Sequence, residues 1–271
     1  LAIESGRMPL PQVMLALASY LPLCNLPFVN ALREHAWSDS LRSVIRQQID
    51  EVRQELNWRS VLPKITAIDQ DSSSRVQQQY EENPYPRWVR SSLFPAPLAL
   101  EDRLRMQIPH ARFQPIGRVG TVDVLIAGCG SGRHSAESAS AYSDSRVLAI
   151  DLSASSLAYA MRKSHELGQC NVEYAQADVL QLSSLNRHFD LIESVGVLHH
   201  LVDPAAGWRA LLQVLRPGGL MLLGLYSEAA RAPVVAARQF IAHRGYPDTP
   251  QGSRDCRAAI MGANCPEALS H

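Results

Sequence analysis

The chain lacks net charge, paired cysteines and any unbroken apolar run, and each absence excludes a class of protein. Its 26 basic and 26 acidic residues cancel to a formal net charge of +0 at pH 7, with a pI near 7.3. The basic footprint of a nucleic-acid binder is therefore not evident, and a small or neutral substrate is favoured. The five cysteines, Cys24, Cys129, Cys170, Cys256 and Cys265, are widely spread and form no Cys-x-x-Cys pair. Neither a disulfide framework nor a metal site is suggested, and a reducing cytoplasm is the expected location. Met8 to Leu32 carries no charged residue and has the length to cross a bilayer, but Pro9, Pro11, Pro22 and Pro27 interrupt it. Two short buried helices are expected there instead of a membrane span. No basic start, apolar centre and small-residue cleavage site can be picked out. Because the chain opens on Leu1 and not on Met, a fragment or a processed product is expected.

What is present is enough for one full core and a smaller helical appendage: 271 residues, 46% of them hydrophobic. Residues 1–78 read as a helical N-terminal region, in which Leu41, Ile45, Ile49, Val52 and Leu56 form one helical stripe that would pack against the next domain. Residues 79–118 read as a linker or lid rich in proline and aromatics. Its densest part, Gln79 to Trp88, holds Tyr80, Tyr85, Trp88 and Arg87 around Pro84 and Pro86, and is expected to be extended. As a linker it would plug a groove. As a lid it would bring Tyr80 or Arg87 to the carboxylate of a bound cofactor.

The stretch Val122 to Ser135 organises the remainder. Val122, Val124, Leu125 and Ile126 make a strand that runs into Gly128, Gly130 and Gly132. Alternating glycines there suit a sharp strand-to-helix turn against which a ligand can lie. A dinucleotide fingerprint would require a glycine where Arg133 stands, so the nicotinamide reading weakens. Further strands are expected at Arg146–Asp151, Asn171–Asp178, Phe189–Gly196 and Leu220–Tyr226. Helices are expected at Ser153–Leu167, from Asp203 with Trp208, Leu211, Leu212 and Leu215 inward until Pro217-Gly218-Gly219 ends it, and at Val234–His243. This alternation predicts an α/β fold, a doubly wound parallel sheet whose ligand sits at the carboxyl ends of the strands. Asp151 and Asp178 end two of those strands. The first could accept hydrogen bonds from a ribose diol, the second from an adenine amino group.

Ala-Gly-Cys-Gly-Ser-Gly (127–132), Ile-Asp-Leu-Ser (150–153), Ala-Asp-Val (177–179), Ser-Val-Gly-Val-Leu-His-His (194–200) and Leu-Arg-Pro-Gly-Gly (215–219) follow one another in an order and spacing that resembles the class I S-adenosylmethionine (SAM) dependent methyltransferases. With Tyr-Glu-Glu-Asn-Pro-Tyr-Pro-Arg-Trp (80–88), the chain is similar to the bacterial type often joined to tetratricopeptide repeats, although no repeats are visible. The resemblance implies a Rossmann-like SAM-binding domain over 119–250. It puts Ala127, Gly128, Cys129, Gly130 and Gly132 at the methionine end, Asp151 and Leu152 at the ribose, Ala177, Asp178 and Val179 at the adenine, and Ser194 and Val195 beneath the sulfonium. His199 or His200 could serve as base for a protonated acceptor, or the pair could cap their loop. Two departures stand out. Family members often carry an acid where Ile126 stands, and the usual sixth and seventh strands are not readable, so 251–271 is expected to be an irregular, truncated tail. An open sheet edge would then need a partner, such as a second copy or a repeat domain. The expected activity is methyl transfer to a small-molecule or protein acceptor. The alternatives are a non-catalytic SAM-binding or scaffold protein and, more weakly, a nicotinamide oxidoreductase.

Overall fold

The computed structural model describes residues 8–68, 74–82, 84–112, 116 and 120–262. Its contacts divide the chain into two units, Leu1–Leu223 and Gly224–His271. The first begins with helices α1 (Pro11–Tyr20), α2 (Val29–Glu34), α3 (Asp39–Ile45), α4 (Glu51–Val61), α5 (Ser74–Glu82) and α6 (Leu100–Gln107). Strands and helices then alternate as β1 (Val122–Ala127), α7 (Arg133–Ala141), β2 (Ser145–Asp151), α8 (Ala154–Glu166), β3 (Val172–Gln176), β4 (Phe189–Val195), α9 (Pro204–Gln213) and β5 (Leu215–Gly224). The second unit holds α10 (Ala232–Arg244) and α11 (Pro250–Met261).

The sheet order is β3-β2-β1-β4-β5, with β1 parallel to β2 and β4, and β2 parallel to β3. This is the Rossmann-like arrangement. The chain steps outward from β1 to β3 and returns to the other side of β1, so a crevice opens where the winding direction changes. Both faces of β1 are covered, which is why it reads as an unbroken apolar run. Val124 and Ile126 join Val147, Ala149, Leu157 and Ala160 in one cluster. Leu125 and Ala127 join Leu148, Ile150, Phe189 and Ile192 in the other.

The N-terminal helices enclose a third cluster of Met14, Leu23, Leu32, Trp37, Leu41, Ile45 and Ile49. The apolar stripe stops there. Leu56, expected to continue it, is 58% exposed. A π turn at Arg46–Asp50 separates α3 from α4, and its extra residue rotates the following helix by about 100°. The rotated face presents Glu51 and Glu55 to α8. Arg162, whose side chain is 3% exposed, meets Glu51 at 3.1 Å and Glu55 at 3.0 Å, and also pairs with Glu166. One buried guanidinium thus ties α4 of the helical region to α8 of the sheet domain.

Other differences from expectation have equally local causes. Tyr80 lies on α5, because Pro84 and Pro86 follow the helix and do not interrupt it. Strand β5 starts at Leu215 and includes Pro217-Gly218-Gly219, which an edge strand tolerates. Trp208 and Leu212 are 47% and 52% exposed, since only the narrow stripe Gly207, Ala210 and Leu211 of α9 is buried. Part of the expected irregular tail is helix α11, where Thr249 accepts at 3.1 Å from the Gly252 N–H and Pro250 occupies the first turn. Proline at that position starts a helix. Among the described residues no helix is long and apolar enough to cross a membrane.

Replacing Arg162 with Met leaves Glu51 and Glu55 facing each other without their cation. The expected loss is about 3 kcal/mol in urea denaturation, and a loss below about 1 kcal/mol would show that the clamp adds little.

Candidate functional site

The turn after β1 is held by its own backbone. The N–H groups of Gly128 and Cys129 both donate to the Ile150 carbonyl, at 2.8 and 2.9 Å. Gly132 and Gly130 answer different needs. Gly132, at φ +83°, packs so tightly that a Cβ would lie 2.4 Å from that of Ala160. Gly130, at φ +53°, faces open space, where a Cβ would meet only the Tyr85 carbonyl at 3.8 Å. The second glycine therefore leaves bare backbone for a ligand.

Asp151 joins the end of β2 to this turn. Its Oδ2 accepts from Gly130 N–H at 2.8 Å and its Oδ1 from Ser153 N–H at 2.9 Å. Burial pushes its carboxyl above the ordinary aspartate range, an effect that the N–H groups of Ser153, Gly130 and Leu152 only partly oppose. Asp178, 1% exposed, accepts at 2.9 Å from Leu180 N–H and caps the turn after β3. Its own N–H donates at 2.8 Å to Thr66 Oγ1.

These groups open on one cavity of about 450 Å³. Of the residues expected from the sequence, Tyr80, Gly128, Cys129, Gly130, Asp151, Leu152, Ala177, Asp178, Val179, Val195 and His200 lie on its wall. Five others lie elsewhere. Ala127 is buried in the core, and Gly132 packs on Ala160. Ser194 donates at 3.1 Å to the Ala127 carbonyl, and the ring of His199 rests 4.3 Å from that of His200. Arg87 needs a correction: it reaches Glu55 at 2.8 Å and lies over the Tyr159 ring at 4.7 Å, because the rotated α4 offers it a carboxylate.

The proline-rich segment is fastened across the turn. Ser131 Oγ donates to the Pro86 carbonyl, Trp88 Nε1 donates at 2.8 Å to the Ser131 carbonyl, and Tyr159 OH donates at 2.5 Å to the Trp88 carbonyl. Trp88 is thereby a buried plug while Tyr85 and Pro86 face the cavity. Helix α5 covers a neighbouring part of the wall. Gln77 Nε2 donates at 3.3 Å to the Leu152 carbonyl, and Glu81 accepts from Ser153 Oγ and Ser155 N–H, both at 3.1 Å, while pairing with Arg59.

Gln77, Ser131, His134, Val197 and Leu201 also line the cavity; Ser131 and Val197 fall inside the motifs quoted above, whereas Gln77, His134 and Leu201 carry no recognisable pattern in the sequence. Glu193 was likewise missed, hidden inside an apolar strand. It sits beside Ile126 in the β1–β4 register and is 2% exposed. Its carboxylate accepts from His134 Nε2 at 2.9 Å, Ser138 Oγ at 2.5 Å and Tyr142 OH at 2.9 Å. Burial alone would raise its pKa, but the bond and charge of His134 and the two hydroxyls outweigh it and hold the carboxyl below the usual glutamate range.

The known proteins most informative for this geometry are methyltransferases. Residues 124–219 match the family model described as "Methyltransferase domain". A ubiquinone biosynthesis O-methyltransferase from Leptothrix cholodnii is 32% identical over 125 residues, 45% of this chain and 52% of the relative. One from Xanthomonas axonopodis is 31% identical over 159 residues, 58% of this chain and 64% of the relative. An uncharacterized Synechococcus protein is 35% identical over 126 residues, 46% of this chain and 30% of the relative. The chain thus spans between about a third and two thirds of these relatives. The structure of PKMT2 from Rickettsia typhi in complex with AdoHcy shares the fold, with a TM-score of 0.50 at 21% identity over 65% of this chain and 34% of that one.

Because the folded pKa of Glu193 lies below its unfolded value, the stability it contributes is fully present above the ordinary glutamate range and is lost as pH falls through the folded pKa. Glu193→Gln should therefore be less stable than wild type at pH 7, with the gap closing under acid. A gap that stays constant in denaturation curves from pH 7 to about pH 3 would show that the charge contributes nothing.

Proposed function

We propose that this chain is a SAM-dependent methyltransferase whose acceptor is a small molecule or a protein side chain. The observation that carries the reading is the 2.8 Å bond from Gly130 N–H to Asp151. It holds a bare backbone turn and a carboxylate together on one cavity wall, with Asp178 at the next strand end. The residues fit an adenosyl sulfonium. Asp151 accepts from the Gly130 N–H on one oxygen and from the Ser153 N–H on the other, with the Leu152 N–H also against the carboxylate, and its remaining lone-pair capacity is open to ribose hydroxyls. Val179 and Ala177 offer apolar contact to a base, beside the Asp178 carboxylate.

When bound, SAM supplies a methyl on a sulfonium, so the C–S electron pair returns to sulfur as the acceptor's lone pair forms the new bond. The chain's part is mainly alignment in a dry pocket, which can supply several kcal/mol without acid or base. Tyr80 and Tyr85 narrow the opening, and Val195, Val197 and Leu201 make the remaining wall apolar. His200 faces the cavity and takes the proton of an acceptor that arrives protonated. His199, off the wall, orients it through their ring contact. The cytoplasmic location and a second copy or repeat domain as partner belong to the same proposal.

Titration calorimetry with SAM and with NAD tests the assignment. SAM should bind and NAD should not; tight NAD binding without SAM binding would overturn it. Asp151→Ala should weaken SAM by roughly 10- to 100-fold, the value of one or two hydrogen bonds to a charged group, and unchanged affinity would refute the ribose contact. SAM binding with no turnover on any acceptor would favour the scaffold alternative.

A further inference from the structure

Between α4 and α5, residues 62–66 run beside β3 as a short added strand. Lys64 pairs with Gln176 in parallel: the Gln176 N–H donates at 2.8 Å to the Pro63 carbonyl, and the Ile65 N–H donates at 3.0 Å to the Gln176 carbonyl. Leu62 packs on the cluster at one face of the sheet and Ile65 on the cluster at the other, as alternating strand residues do.

A strand that served to close the sheet edge would follow β3 along its length. This one meets β3 at Gln176, its last residue. The next bond falls beyond the strand, where Thr66 Oγ1 accepts at 2.8 Å from the Asp178 N–H while donating at 2.9 Å to the Ala67 carbonyl. Ala177, Asp178 and Val179 line the cavity at that point. The hold extends to the end of β2. Asp151 stands opposite Gln176 in the β2–β3 register, and its carbonyl accepts from the Ala177 N–H at 3.0 Å. Gln176 Nε2 donates at 2.7 Å to the Leu152 carbonyl, which also takes the Gln77 amide of α5 at 3.3 Å. Pro63, Ile65, Thr66 and Gln77 thus hold the two strand ends whose carboxylates face the cavity. Gln77 is on the wall, and the other three stand behind it.

We propose that residues 63–66 are a positioning strand for the cofactor's nucleoside end, with Thr66 setting the Asp178 loop through its N–H, so that ligand binding and the docking of the helical region on β3 strengthen each other. The inference rests on the SAM reading. Thr66 touches no ligand in this scheme and is a positioning residue. Asp178 is 1% exposed, so its N–H deprived of Thr66 is costly and drives the loop to move. Such coupling is reciprocal: a ligand that needs Asp178 in place tightens the contact at Pro63–Thr66 by as much as that contact tightens the ligand.

Two measurements on the full chain test this, calorimetric titration with S-adenosylhomocysteine and amide hydrogen exchange with and without it. Thr66→Val keeps the shape and removes the acceptor, and should weaken binding about tenfold, whereas Thr66→Ser keeps the hydroxyl and should bind within about twofold of wild type. In the wild-type protein, saturating ligand should slow exchange of the Ile65 amide about tenfold or more, while amides of α1 and α2, in the same region but away from β3, change less than about twofold. Thermal unfolding shows whether each variant folds; should Thr66→Val not fold, the exchange result decides alone. Variants that both bind like wild type, a Thr66→Ser loss as large as that of Thr66→Val, or an Ile65 amide indifferent to ligand would reduce the strand to packing and overturn the proposal. Equal slowing throughout the helical region would do the same, as general stabilisation of the fold. Wild-type protein that does not bind S-adenosylhomocysteine would instead remove the SAM reading, and this inference with it.

Discussion

The candidate site depends on one hydrogen bond, from the Gly130 N–H to the Asp151 carboxylate at 2.8 Å. It closes the gap between the carboxyl ends of β1 and β2 and fixes the glycine turn. It also keeps a partly desolvated charge where a ligand's hydroxyls would reach it. Burial raises the Asp151 pKa, so the ionised group is held at some cost to the unliganded protein. Sites that bind tend to carry such a cost, and the surrounding structure must offset it.

Much of that support comes from outside the sheet domain's own segment. Thr66 accepts from Asp178 N–H, Gln77 binds the Leu152 carbonyl, and Glu81 holds Ser153 and Ser155. These residues belong to the helical region and its continuation, which the Arg162 clamp seats on α8. The N-terminal helices are therefore a working wall of the cavity as well as a separate small core. The strap from Tyr85 to Trp88 has the same double character, with one aromatic buried for packing and another facing the ligand space.

The strand–helix alternation from Val122 onward was legible because its signals are local. Apolar runs mark doubly covered strands, glycines mark a turn with positive φ, and Asp203-Pro204 marks a helix start. Asp151 and Asp178 could be picked out for the same reason, as acids that terminate strands. Misread features involve interactions between distant residues. No pattern around Ile45 announces a π turn, so the sequence alone carries the apolar stripe on to Leu56. Glu193 has no signature because its three partners lie 51 to 59 positions earlier in the chain.

The most direct measurement is a crystal structure of the chain with S-adenosylhomocysteine. The account requires both ribose hydroxyls within about 2.6–3.2 Å of the Asp151 carboxylate, with the homocysteine end against the Gly128–Gly130 backbone. A nucleoside seated away from Asp151, or a turn that rearranges to break the Gly130 bond, would contradict it.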